Sequence, residues 1–118
     1  MKAIIKVARK GSIFGEVAAQ VAGSRQGRTP DFRLSFDSAR SLFAELTPAR
    51  LDLLDSLRRV GPCSVYALAK SAERNYSNVH TDVSRLEELR LIEERSEDGM
   101  VSVPFESVEI LFPLAQVA

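Results

Sequence analysis

A chain of 118 residues, 45% apolar and 27% charged, is the size of one unit that buries its own core. Its single cysteine, Cys63, excludes an intrachain disulfide, and its single histidine, His80, leaves too few ligands for a structural zinc site. The longest apolar run is too short for a membrane span, and lysines break up the opening MKAIIKVARKG before a signal-peptide core can form, so the expected location is cytoplasmic, with no membrane contact. No cofactor or metal is expected. The net charge of zero hides a gradient. Residues 1–46 carry eight Lys/Arg against four Asp/Glu (8 − 4 = +4), and residues 90–118 carry two against six (2 − 6 = −4). Such a gradient bears on where a polyanion or a charged partner docks.

In chain order, MKAIIKVA has the length and the isoleucine and valine content of a strand. GSIFGEVAAQVAG follows, with Ser12 as a cap and Phe14, Val17, Ala18 and Val21 at helical spacing. GSRQGRTPD reads as a loop. FRLSF alternates Phe32, Leu34 and Phe36 on one face, as a half-buried strand does. DSARSLFAEL starts a helix at Asp37, with Leu42, Phe43 and Leu46 on one stripe. The firmest helix signal lies in LTPARLDLLDSLRRVGP, where Thr47 caps, Pro48 takes the first helical position and Gly61-Pro62 stops the run.

Ser64 then caps the short helix VYALAKSAE, and a tight turn leads into YSNVHTDVSRLEELR. Two helices joined by so short a turn must cross steeply. Val79, Val83 and Leu86 stack at i, i+4 and i+7 as the buried stripe of the second helix, closed by Leu89. Steps of about 100° per residue leave Ser77, Thr81, Ser84 and Arg85 on the opposite side, flanked by Asn78. That face is small, polar and nearly free of acids. Short hydroxyl and amide side chains let a helix approach base edges, Asn pairs bidentately with adenine, and Arg with guanine. His80 is an edge contact or a core-margin residue, and Tyr76 stacks on a sugar or packs against the helix of Tyr66. No catalytic pair is expected, because Cys63 occupies the position of a small buried residue and His80 and Asp82, two apart on one helix, point different ways. The chain is not expected to be an enzyme.

LIEERSEDGMVSVPF completes the order, with two extended segments around Asp98-Gly99, a dipeptide suited to a two-residue type I′ hairpin. From Leu46 to Phe105 the sequence resembles the MarR-like winged helix-turn-helix transcriptional regulators, a family of small prokaryotic proteins, through LTPARLDLLDSLRRVGP, SVYALAKSAERNYSNVHTDVSRLEEL and DGMVSVPF. The resemblance implies a winged helix-turn-helix, and the strand, helix and strand read ahead of it make residues 1–45 an N-terminal β-α-β arm and connecting helix for dimerisation or partner binding, an α+β fold in all. Residues 46–118 would be the DNA-binding domain with a C-terminal strand. It also implies sequence-specific binding of double-stranded DNA, as a homodimeric repressor that autoregulates its own operon. Some relatives are antitoxins of toxin–antitoxin pairs, so a toxin partner is the alternative. Carried across, residues 75–85 start the recognition helix and residues 95–100 form the wing. The expected DNA contacts are Arg74, Asn75, Tyr76, Ser77, Asn78, His80, Thr81, Ser84 and Arg85. Arg90 stands where such proteins favour glycine, and the acids of ERSEDG exclude the wing as a phosphate contact.

Overall fold

The computed structural model describes residues 1–8, 30–93 and 95–114. In chain order its elements are β1 (Lys2–Val7), β2 (Phe32–Phe36), α1 (Ala39–Glu45), α2 (Pro48–Val60), β3 (Cys63–Ser64), α3 (Val65–Ala72), α4 (Tyr76–Glu88), β4 (Met100–Val101) and β5 (Ser107–Leu111). The fold is mixed α+β, with a parallel three-stranded sheet and a small antiparallel pair among the described residues. The helix expected in GSIFGEVAAQVAG lies outside them.

The chain divides into two compact units, one formed by residues 1–45 with 105–118 and the other by residues 46–104. In the first, β1 is the central strand, parallel to β2 on one side and to β5 on the other. The C-terminal strand therefore belongs with the N-terminal elements and not with the helical unit, because its backbone donors and acceptors are satisfied by β1. Ala3, Ile5 and Val7 alternate into the core, and Phe105 stacks on Phe32 with ring centroids 5.5 Å apart. The cap of α1 is Ser38, whose Oγ accepts from the Ser41 N–H at 3.1 Å, one residue later than Asp37. Leu42 is fully buried, whereas Phe43, expected on the same stripe, faces outward.

In the second unit each helix begins and ends on a local signal. Thr47 Oγ1 accepts from the Arg50 N–H and Ser64 Oγ from the Ala67 N–H. Gly61, at φ 88, stops α2 by donating to the Leu57 carbonyl. Leu53, Leu54 and Leu57 of α2 supply the core with Leu68 and Ala69 of α3 and Val79, Val83 and Leu86 of α4. Cys63 is buried there as well, and burial pushes its thiol pKa up, so it is an inert packing residue. β3 pairs with β4, and Glu93 bridges to Ser102.

Both ends of the segment around α4 are closed by a non-glycine residue in the left-handed region, Glu73 at φ 55 and Arg90 at φ 64. At Arg90 the N–H donates to the Glu87 carbonyl and the Leu91 N–H to the Leu86 carbonyl, with Leu86 and Leu91 both fully buried. This is a Schellman closure, which glycine favours. The helix thus stops despite the arginine, and the left-handed backbone costs an L residue about 1–2 kcal/mol. Arg90→Gly is expected to raise stability by about 1 kcal/mol, part of the relief being offset by the extra chain entropy of glycine. Denaturant titration checks this as a higher midpoint at unchanged slope, and a lower midpoint would contradict it.

The hairpin differs from a two-residue type I′ turn, which needs positive φ at both central residues. Only Gly99 has it, at φ 80. The Gly99 N–H donates to the Ser96 carbonyl and the Ser96 N–H to the Met100 carbonyl, enclosing a three-residue loop. Asp98 fastens this loop by accepting from Ser96 Oγ and the Met100 N–H, and those two bonds hold its carboxyl below the usual aspartate range.

Candidate nucleic-acid interface

The turn from α3 into α4 takes three residues, 73–75. Glu73 and Arg74 donate their N–H groups to the Lys70 and Ala69 carbonyls, and Asn75 Oδ1 accepts from the Asn78 N–H at 3.2 Å. Asn75, expected on the DNA, thus spends its side-chain oxygen on capping. Past that cap, Tyr76, Ser77, Asn78 and Thr81 are exposed on the first turns of α4, while Val79 and Val83 are fully buried on the other side. Thr81 Oγ1 donates to the Ser77 carbonyl at 3.0 Å, so its methyl group faces out. No described group bonds the side-chain amide of Asn78. The Tyr76 ring lies 6.4 Å from that of Tyr66 and 5.9 Å from that of His80, a short aromatic row from α3 onto α4.

The arginines of this surface are engaged. Arg74 Nη2 reaches Asp82 Oδ2 at 2.7 Å, and Arg50 Nε reaches Asp82 Oδ1 at 3.0 Å. Burial pushes the Asp82 carboxyl up, but the hydrogen bonds and charges of the two guanidinium groups together outweigh it and hold its pKa below the usual value. Asp82 therefore ties α4 both to α2 and to the turn before it, and Arg74 is turned inward to that lock. Arg85 Nη1 pairs with Glu88 Oε2 at 2.8 Å. That pair is exposed and one turn long, worth only a few tenths of a kcal/mol, about 0.3–0.5.

The hairpin supplies a residue that the sequence alone did not assign to this face. Arg95 crosses back onto α4, with Nε 3.0 Å from Glu87 Oε1, Nη1 3.2 Å from His80 Nε2 and Nη2 3.4 Å from Ser84 Oγ. A guanidinium has no acceptor, so this contact is a hydrogen bond where Nε2 of His80 offers its lone pair. Ser84 and His80 are half-covered by this contact. Of the nine expected contact residues, Tyr76, Ser77, Asn78 and Thr81 stand clear. Asn75 caps, Arg74 braces Asp82, Arg85 pairs with Glu88, and His80 and Ser84 lie under Arg95. Lys70 is exposed with no described partner.

Among the described residues no group of His, Cys, Asp or Glu is placed to hold a metal ion, and no helix is long and apolar enough to cross a membrane. The class established by these elements is a mixed α+β protein whose helical unit presents a polar, acid-free helix start. The chain belongs to the HVO_A0114 family, whose family model matches residues 45–110, more than half of its length. No curated protein and no solved structure matches it.

Proposed function

We propose that this protein is a sequence-specific transcriptional regulator that binds double-stranded DNA through a winged helix-turn-helix. In this reading α3 and α4 are the two helices of the motif, α4 enters the major groove, and residues 95–100 are the wing. The observation that carries it is the start of α4, where uncharged hydrogen-bonding side chains stand exposed just after a three-residue turn between helices. In helix-turn-helix proteins the first residues of the second helix contact the bases. A solvated helix face in a chain this rich in charge would carry interleaved acidic and basic residues, as the end of α4 does with Arg85, Glu87 and Glu88.

The test is a fluorescence titration of the full chain with duplex DNA from upstream of its own gene and with scrambled duplex, at fixed salt. Preference for the upstream duplex is the expected result, and equal binding to both would refute the reading. Lys70→Ala should weaken binding to both duplexes alike and lower the salt slope by about 1, as loss of one phosphate contact does.

A second reading, an antitoxin that masks a toxin, is favoured by a different surface. Phe43, Leu111, Phe112 and Leu114 are exposed on the first unit. Exposed apolar side chains of this number, if they lie together, suit a protein interface. The same surface serves a homodimer, and an autoregulating antitoxin uses both. Copurification with the product of the adjacent gene distinguishes the two, since a regulator that only dimerises recovers itself alone.

A further inference from the structure

The ion pairs around α4 and the side chains they leave exposed bear on which bases a DNA-binding α4 would read. In the major groove guanine is read by Arg or Lys on O6 and N7, adenine by Asn or Gln on N6 and N7, and thymine by apolar contact with its methyl group. Each arginine near the face is held by an acid, Arg74 by Asp82, Arg85 by Glu88 and Arg95 by Glu87. The side chains left exposed on the first two turns are of the other kind. Asn78 offers an amide, with oxygen and nitrogen side by side and no described partner. Thr81 offers a methyl group, because its hydroxyl is turned back to the Ser77 carbonyl. Tyr76 offers an aromatic edge 48% exposed, beside Tyr66 and His80.

We infer that α4 reads A·T base pairs in the major groove, with Asn78 on adenine and Thr81 and Tyr76 against thymine methyls, so that the core of each half-site is A·T. This rests on the DNA-binding reading above and names what that site recognises. Arg85, held at Glu88, is then a peripheral residue that does not choose the central bases. Asn78 and Thr81 are the specificity residues.

The experiment is selection of duplexes from a randomised pool with the full-length protein, followed by titration of the enriched duplex and of a copy in which the core A·T pairs are replaced by I·C. An I·C pair keeps the minor-groove face of A·T but presents the major-groove face of G·C. The expected result is an A·T core, a loss of about tenfold or more in affinity on I·C replacement, and loss of that discrimination in N78A. N78A alters an exposed side chain and should keep the circular dichroism spectrum and melting behaviour of the parent. A G·C core whose recognition collapses in R85A would overturn the inference while leaving DNA binding intact. So would an A·T core that tolerates I·C, since the preference would then come from the minor groove or from DNA shape. No enrichment over the random pool would overturn the DNA-binding reading itself, and this inference with it.

Discussion

A fragment of residues 46–104 is expected to keep its helices but to be monomeric, and to bind a palindromic target about two to three orders of magnitude more weakly than the full chain. The fragment holds a contiguous core of Leu53, Leu54, Leu57, Leu68, Val79, Val83 and Leu86, and its caps are all local, which is why its helices are expected to survive without the sheet. Among the described residues the sheet ends on β2 and β5 and exposes Leu111, Phe112 and Leu114, surfaces that tend to pair. Two linked reading heads bind a paired site with an effective concentration that a lone head lacks. Sedimentation and titration of both proteins on the same duplex measure the effect. A fragment that dimerises and binds like the full chain would assign the sheet unit no part in DNA binding.

Asp82→Ala is expected to cost about 2–3 kcal/mol of stability, the largest effect of any polar substitution in the helical unit. It leaves two guanidinium groups, Arg50 and Arg74, facing each other without their shared carboxylate, and the Arg50, Arg74 and Asp82 side chains are only 17%, 28% and 14% exposed. Breaking a buried pair costs about 3–5 kcal/mol, and partial solvent access places this one below that range. The same substitution predicts a pH effect. The folded-state pKa of Asp82 lies below its unfolded value. Its contribution is therefore present above about pH 4 and is lost as pH falls through the folded pKa. The parent should lose stability over that acid window more steeply than D82A does. Denaturant midpoints of both proteins, taken at intervals from neutral pH downward, test both parts, and parallel curves would show that Asp82 makes no charge-dependent contribution.

In the proposed DNA-binding reading the lock also bears on function, because Asp82 holds α4 against α2 and so sets how the exposed start of α4 is presented. D82A should weaken DNA binding without touching the bases, whereas N78A should change preference without changing stability. These separable outcomes follow from one helix, whose Val79 and Val83 face the core, whose Asp82 flanks it and whose Asn78 and Thr81 face out.

What the sequence determined by itself lies within about one helical turn of each residue. Thr47 and Ser64 accept from the N–H three residues on, Gly61 ends α2, and the spacing of Val79, Val83 and Leu86 sets the inward face of α4. Each of these is a contact between neighbours along the chain, so residue type and spacing suffice to foresee it. Arg90 marks where that reasoning weakens, for the burial of Leu86 against Leu91 outweighs the local preference for glycine and the helix still stops there. Tertiary structure alone decided the partners across long separations. β5 lies parallel to β1 across the length of the chain, Asp82 gathers Arg50 and Arg74, and Arg95 folds back from an acidic hairpin onto His80, Ser84 and Glu87. Periodicity reports which face of an element is buried, but not which distant charge or strand edge satisfies it, and that choice is made only when segments far apart in the chain come together within each unit.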